Sequence, residues 1–333
     1  MKPRFSIIIP VYNRPDEIDD LLKSLQQQTL KNFEVVITED GSTIPCADVI
    51  GRYENSLPIK YFTKPNEGRS IARNHSMERA DGDWFVFFDS DCVIPENYFD
   101  NLTAALTDTS IDCFGGPDAA HDSFSTTQKA INFAMTSFLT TGGIRGGKVS
   151  MEKFTPRTFN MGFSREVYER VGGFREMFSE DIDMSKRIEA AGFKIVLIRE
   201  AAVYHKRRVD FRKFFRQVYV FGMSRITLKL LYPGSMKLVH ALPACFVLGL
   251  LALILLGMFM SPWWLTPIAV YALALFLSAW SSTRSLIVAA KALPASFIQL
   301  VGYGLGFINA YVRKILLRRG RDVQEEINLR RGK

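Results

Sequence analysis

Asp89 and Asp91 stand one residue apart at the end of the apolar run Trp84-Phe85-Val86-Phe87-Phe88. Two carboxylates this close repel each other unless a cation or a proton lies between them. Carboxylates are also the preferred ligands of Mg²⁺ and Mn²⁺, the usual partners of phosphates. A solvated turn in which one Asp caps the helix after Pro95 is the alternative, and the pair alone does not choose between the two. A second acidic pair, Glu39-Asp40, closes the apolar run Phe33 to Thr38 and is followed by Gly41-Ser42. A third lies in Ser179-Glu180-Asp181-Ile182-Asp183. There Ser179 reads as an N-cap whose neighbouring acids complement a helix dipole, so a structural explanation stands beside a general base.

The elements that must position these acids can be read from periodicity. Phe5 to Val11 is a β-branched run that ends in Pro10-Val11-Tyr12-Asn13-Arg14-Pro15. Asp16 to Gln28 has helical spacing, with Ile18, Leu21, Leu22 and Leu25 on one face. Phe33 to Thr38, Ile59 to Phe62 and Trp84 to Phe88 read as further strands, and Asn66-Glu67-Gly68 opens a helix through Arg69, Ala72 and Arg73. Alternating strand and helix imply an α/β fold with a mostly parallel sheet and right-handed crossovers. Acidic loops that follow strands then share the carboxyl edge, where ligands bind. Neither a Gly-x-Gly-x-x-Gly turn nor a Gly-Lys-Ser/Thr loop is present, which disfavours a dehydrogenase or a P-loop hydrolase. Phosphates would be held by metal and arginine instead.

Beyond Leu238 the chain turns almost continuously apolar. Two stretches, about 240–260 and 263–281, approach the ~20 residues that a crossing helix needs. Trp263, Trp264 and Trp280 suit the interfacial aromatic belt. A third segment, 285–312, contains Lys291, Pro294, Gly302, Gly304 and Gly306, and could be a third span, a re-entrant piece or an interfacial helix. Lys206, Arg207, Arg208, Arg212, Lys213 and Arg216 precede the apolar region, and Arg313, Lys314, Arg318, Arg319 and Arg321 follow it. The positive-inside rule puts both clusters in the cytoplasm, which requires an even number of crossings. Two spans plus a membrane-embedded, non-crossing segment is therefore the favoured reading, and three spans the alternative. The net charge of +8 sits beside the apolar segments, fitting anionic head groups and not nucleic acid. No signal peptide precedes Phe5, which places the first domain in the cytoplasm. Cys46, Cys92, Cys113 and Cys245 lack metal-type spacing and suit a reducing compartment. Cys92, a soft ligand beside Asp91, reads as a small buried residue. The expected organisation is a catalytic domain at 1–215, a membrane-proximal linker or interfacial helix at 216–237, a membrane region at 238–316 and a basic cytoplasmic tail at 317–333.

Together, Pro10-Val11-Tyr12-Asn13, Glu39-Asp40-Gly41-Ser42, Asn66-Glu67-Gly68-Arg69-Ser70-Ile71-Ala72-Arg73-Asn74, Asp89-Ser90-Asp91, Val171-Gly172-Gly173-Phe174, Glu180-Asp181 and His205 resemble family 2 glycosyltransferases. The resemblance covers about residues 5 to 206. It implies an inverting enzyme with a GT-A nucleotide-sugar-binding fold. By that resemblance Pro10, Tyr12 and Asn13 belong to the nucleotide site, with Tyr12 stacking on the base and Asp40 accepting an imide N–H of uracil or thymine. Arg73 would lie near the ribose and diphosphate, and Asp89 would touch the ribose or reach the metal through water. Asp91 and His205 would hold Mn²⁺ or Mg²⁺, with Asp89 a further metal candidate. Asp181 becomes the candidate base, Glu180 orients the loop or the acceptor, and Asn160 and Gly162 wall the acceptor site.

Some features depart from the family pattern. Glu39 replaces the usual first Asp and is one methylene longer, which leaves its role open. The Gln-x-x-Arg-Trp signature of processive synthases is missing, since Gln217-Val218-Tyr219-Val220-Phe221 lacks the Arg-Trp. One sugar per encounter is the expectation, with a lipid-linked or other glycan acceptor in cell-envelope synthesis. A polyprenyl-phosphate glycosyltransferase, or a membrane scaffold with a degenerate transferase domain, are the alternatives. A sugar-phosphate nucleotidyltransferase ranks low because its basic glycine-rich loop is missing. The 115–157 loop, with Ile144-Arg145-Gly146-Gly147-Lys148, is expected to set acceptor and sugar preference. The Gly302 and Gly306 pair is a possible helix-packing motif that leaves the oligomeric state open.

Overall fold

The computed structural model describes residues 4–119, 124–142, 154–205 and 210–319. The chain forms two compact units, one of Met1–His121 with Phe154–Lys206 and the other of Asp122–Lys153 with Arg207–Lys333.

The first unit opens with β1 (Phe5–Val11), α1 (Pro15–Gln26), β2 (Phe33–Asp40), α2 (Ala47–Gly51), β3 (Ile59–Lys64), α3 (Arg69–Met77) and β4 (Trp84–Phe87). It continues through β5 (Cys92–Val93), α4 (Tyr98–Ala105), β6 (Cys113–Gly115) and β7 (Asp118–Ala119). Next in the chain are α5 (Thr126–Thr136) and α6 (Phe138–Thr141), which belong to the second unit. The first unit resumes with β8 (Met161–Ser164), α7 (Arg165–Val171), α8 (Glu180–Ala190), β9 (Ile195–Leu197) and β10 (Val203–His205). Seven strands form one sheet in the order β3-β2-β1-β4-β8-β6-β9. Pairing is parallel from β3 to β4 and between β6 and β9, and β8 runs antiparallel to both its neighbours. The expected mostly parallel GT-A-type sheet is thus present. Every residue of β1 and β2 is buried, as strands covered by helices on both faces require. Ile7, Ile9, Val35 and Ile37 pack with Leu21 and Leu25 of α1, and Ile8 and Val36 pack with Met77 on the other side.

Two boundaries move. Glu39 and Asp40 are the last residues of β2, in register with Thr63 and Lys64, and not a loop beyond it. A small second sheet, β5-β10-β7, carries His205 alongside Cys92.

The second unit adds α9 (Phe211–Leu231), α10 (Leu242–Phe259), α11 (Thr266–Thr283) and α12 (Leu286–Ala310) to α5 and α6. The division falls after Lys206, earlier than the expected 215, and 122–153 clusters with the helices. Three helical stretches, Leu238–Phe259, Pro262–Thr283 and Leu286–Leu316, are long and apolar enough to cross a membrane. The third is one continuous helix with Pro294 inside it. The glycines serve contact within the chain. A side-chain carbon at Gly306 would stand 2.0 Å from the Tyr219 carbonyl oxygen, and one at Gly222 2.0 Å from that of Tyr303. The Gly302/Gly306 spacing is therefore filled by α9. The 144–148 loop, Lys206 to Arg208 and the tail from 320 lie outside the described residues.

Candidate active site

Asp89-Ser90-Asp91 follows β4, and its two acids join different networks. Asp89 Oδ1 accepts from Arg73 Nη2 at 2.6 Å, and the other terminal nitrogen of Arg73 donates to Glu180 Oε1 at 3.0 Å. Arg69, one turn earlier on α3, lies on the same carboxylate, with Nε 2.8 Å from Oε1 and Nη2 2.9 Å from Oε2. Glu180 is 1% exposed. Burial pushes its carboxyl up, but the two guanidiniums overcome that and hold it below the usual carboxylate range. Arg73 is itself fully buried and its guanidinium lies over the Phe174 ring at 5.7 Å. Its polar contacts on this side are Asp89 and Glu180. Arg69, read from sequence as a possible solvated residue, is a second clamp.

The loop before α8 is fixed from α3. Asn74 Nδ2 donates to the Phe174 carbonyl at 2.8 Å and its Oδ1 accepts the Phe174 N–H at 2.8 Å. A side-chain carbon at Gly173 would stand 2.5 Å from that Oδ1, so glycine is required for the approach. Ser179 is left-handed, with φ 60°, and its side chain does not cap α8. Ser179 thus holds the expected N-cap position, with Glu180, Asp181 and Asp183 in the first turn of α8, but without a side-chain cap. Asp183, next in the acidic run, is tied to Arg187 at 2.9 Å and Arg175 at 3.3 Å, and both its neighbours are structural.

Asp181 differs from Glu180. Its side chain keeps 15% exposure, and Oδ2 meets Arg157 Nη1 at 3.3 Å. Asp181 is thus the acid of the pair that stays partly accessible, while Glu180 is fixed under two arginines.

Asp91 forms the other network. Its Oδ1 lies 3.1 Å from His205 Nε2, its Oδ2 3.6 Å from Arg14 Nη1, and His205 Nδ1 is 3.9 Å from Asp118 Oδ2. The imidazole stacks on Phe159 with centroids 4.5 Å apart and planes 18° from parallel. Arg14 also pairs with Glu17. Ligand atoms of Asp91, Cys92 and His205 all lie within 4.8 Å of one another. Burial, and then the Asp91 and Asp89 charges, push the Cys92 thiol well up, and its Sγ donates to the Phe159 carbonyl at 3.5 Å. A protonated thiol is a poor ligand for a hard cation. The carboxylate and imidazole of Asp91 and His205 suit Mn²⁺ or Mg²⁺, with remaining positions open to phosphate oxygens.

At the end of β2, Glu39 accepts from the Cys46 N–H at 3.1–3.2 Å and from the Tyr61 hydroxyl. Burial, then Glu39, push the Cys46 thiol up to about 12. The longer side chain thus reaches back to lock the 41–46 loop. Asp40 Oδ1 accepts from Lys64 Nζ at 2.8 Å and the Glu67 N–H at 3.0 Å, and Oδ2 from the Gly68 N–H at 2.8 Å. Three of about four lone-pair sites of a carboxylate are taken, which leaves room for one further donor at Oδ2. Tyr12 is 47% exposed, whereas Pro10 is buried in β1. Asn13 Oδ1 accepts the Thr43 and Ile44 N–H groups at 2.7 and 2.9 Å, so its side chain holds the first loop to the second.

Asn160 and Gly162 are corrected as acceptor contacts. Asn160 is fully buried, its Nδ2 donating to the Ala201 carbonyl at 2.8 Å and its Oδ1 accepting from the Tyr98 hydroxyl at 2.7 Å. Gly162 lies inside the sheet, where a side-chain carbon would meet Phe114 at 2.3 Å. Polar and small residues of a buried strand resemble a binding wall in sequence, and here they serve packing. Arg14, Asp118 and Arg157 were not foreseen, because isolated charges in loops or in a two-residue strand carry no periodic signal.

Several known proteins resemble this chain in sequence or fold. Over 88 residues, 26% of this chain, the sequence is 43% identical to an uncharacterized glycosyltransferase of Rickettsia conorii, and it spans only 15% of that protein's length. Over 225 residues it is 26% identical to the succinoglycan biosynthesis protein ExoA of Rhizobium meliloti, covering 66% of this chain and 68% of ExoA. The mannosyltransferase PcManGT of Pyrobaculum calidifontis, solved with GDP-Man and Mn²⁺, has the same fold, with a TM-score of 0.59, 17% identity and coverage of 93% of this chain and 87% of that one. Residues 6–172, just over half of the chain, match the family described as glycosyl transferase family 2, and the chain belongs to that family.

Proposed function

We propose that the chain is an inverting, metal-dependent glycosyltransferase that moves one sugar from a nucleoside-diphosphate donor to a hydroxyl of a lipid-linked or other glycan acceptor at a membrane. The observation that carries this reading is the contrast between two adjacent acids, Glu180 fixed under two arginines and Asp181 left partly exposed. The Asp181 carboxylate takes the acceptor hydroxyl's proton as its oxygen bonds to the sugar's anomeric carbon. The bond from that carbon to the diphosphate breaks, and its electron pair leaves with the nucleoside diphosphate. Asp91 and His205 would hold Mn²⁺ or Mg²⁺, which when bound offsets charge on the departing diphosphate. Exposed Tyr12 offers a stacking face to the base, and the open acceptor position on Asp40 suits an imide N–H, which favours UDP or dTDP. The Mn²⁺ complex of PcManGT supports a cation, and the part in succinoglycan biosynthesis named for ExoA supports a glycan product. The catalytic unit would stand in the cytoplasm, anchored by the apolar helices.

The test is thermal shift of the detergent-purified protein with UDP, dTDP and GDP, each with and without Mn²⁺, in the native chain and in Asp91→Asn, followed by transfer assays of Asp181→Asn. Stabilisation that needs both the cation and Asp91, with transfer lost in Asp181→Asn, is the expected result. Transfer retained in Asp181→Asn would point to a polyprenyl-phosphate acceptor, already anionic and needing no base. No stabilisation by any nucleotide would overturn the donor site and favour the scaffold.

A further inference from the structure

We infer that α12, although long enough to cross a bilayer, lies along its surface, so that α10 and α11 are the only crossings among the described helices. The register of α12 on the hairpin carries this. Its beginning, at Val288, Ala289 and Ala292, packs with Leu275 at the middle of α11 and with Ala279 nearer its end. Its middle, at Phe297, meets Phe246 and Tyr271 with centroids 6.0 and 6.2 Å apart. Its later part reaches the first turns of α10, where a side-chain carbon at Gly304 would stand 2.3 Å from the Pro243 carbonyl oxygen and 2.6 Å from Val247 Cγ2. The last turns of α11 and the first turns of α10 lie on one side of a membrane that each helix crosses once. A third crossing would bring Gly304 back toward the opposite side and the Ser261–Leu265 connection. Instead α12 bridges the two helix ends farthest from that connection.

The helices on its other side agree. α9 runs parallel to α12, with Phe214 and Val218 against Ala295, Gly222 against Tyr303, and Thr227 Oγ1 receiving a hydrogen bond from Lys314 Nζ at 2.7 Å. α9 carries Arg212, Lys213, Arg216, Arg225 and Lys229 along its length, and a crossing α12 would take these charges through hydrocarbon. α5 covers the first part of α12 with Ala130 and Phe133, and Lys291 Nζ donates to the hydroxyls of Thr126 and Thr127 at 2.7 and 3.1 Å. Accordingly 44% of the most apolar 18 residues of the α12 stretch are buried, against 6% and 11% for the corresponding windows of the stretches that contain α10 and α11. A helix with protein on one side and bare Leu286, Ile287 and Leu305 elsewhere suits the boundary between head groups and acyl chains. Such a placement leaves Arg318 and Arg319 on the same side as Arg212 and Arg216, as the positive-inside rule requires.

The test uses the full chain with Cys245→Ser and single introduced cysteines; Cys46, Cys92 and Cys113 are buried. Nitroxides at Ile287→Cys, Leu305→Cys and Leu316→Cys, in proteoliposomes, should report one shallow depth by oxygen and nickel-chelate accessibility. Leu242→Cys, Leu251→Cys and Met258→Cys on α10 should pass through a depth maximum at the middle site. In intact cells an impermeant maleimide should reach Ser261→Cys and Leu317→Cys from opposite sides. A depth at Leu305 equal to that at Leu251, or labelling of both loop sites from one side, would overturn the inference.

Discussion

At the scale of single residues, the site separates acids by what surrounds them. Asp181→Asn keeps the shape and the Arg157 contact but removes the base, so kcat should fall by ~10²–10⁴ with nucleotide-induced thermal stabilisation unchanged. Equal losses in both would mean that Asp181 supports the fold instead. Glu180→Gln should act the other way, through stability. It leaves Arg73 buried without its second counter-charge, and breaking a buried pair costs roughly 3–5 kcal/mol, read as a lower unfolding midpoint. The pH dependence follows from the sign of the shift. The folded carboxyl ionises at lower pH than the unfolded one, so the unfolded chain binds more protons across that interval. The stabilisation is full above the ordinary ~4.3 of a free Glu and disappears as pH falls through the lower folded value. Glu180→Gln should flatten this acid limb, and an unchanged limb would place the ionisation elsewhere. Asn160→Ala, which strands the Tyr98 hydroxyl and the Ala201 carbonyl, should cost about 1–3 kcal/mol and leave the acceptor KM where it was.

At the scale of elements, what could be read from sequence depended on whether an element carries its own pattern. β1 has the expected bounds, Phe5–Val11, because a fully buried parallel strand is a continuous β-branched run. β2 runs on through Glu39 and Asp40 because the acids are paired to β3, and polar residues at a strand end look like a loop. Asp89 and Asp91 were legible because they follow the apolar run of β4, whereas two of the arginines that hold the acids were not. Arg69 and Arg157 find Glu180 and Asp181 only through tertiary contact. Within the 115–157 segment, read from sequence as a loop, α5 was not visible because it is short and its apolar residues, Ala130, Ile131 and Phe133, show their purpose only against α12, Phe214 and Val218. The Gly302/Gly306 spacing was visible, but its partner was not. Gly306→Ala, with its new carbon against the Tyr219 carbonyl, should separate α9 from α12 and cost about 1–3 kcal/mol of stability with no change in oligomeric state. A change in oligomer size without destabilisation would return the glycines to an interface between copies.

At the scale of the whole molecule, charge is divided as sharply as hydropathy. The described residues of the second unit carry thirteen Lys and Arg and a single carboxylate, Asp210, in a chain whose net charge is only +8. Among the described residues of that unit, opposite charges that could neutralise α9 are therefore almost lacking, and anionic lipid head groups would be counter-ions of the right sign, worth ~1 kcal/mol for each Lys or Arg near the surface. Arg212, Lys213 and Arg216 are all exposed on α9. Neutralising the three as Gln removes about 3 kcal/mol of that attraction without touching a packed side chain. A nitroxide at Phe215→Cys, on the same helix, should then move outward in vesicles that contain anionic lipid and keep its position in purely zwitterionic ones. High salt should reproduce the outward movement in the otherwise native chain, because screening weakens surface charge and leaves apolar burial intact. An equal depth in both lipids before and after neutralisation would mean that α9 is held by its packing on α12 alone, with the basic residues merely tolerated at the surface.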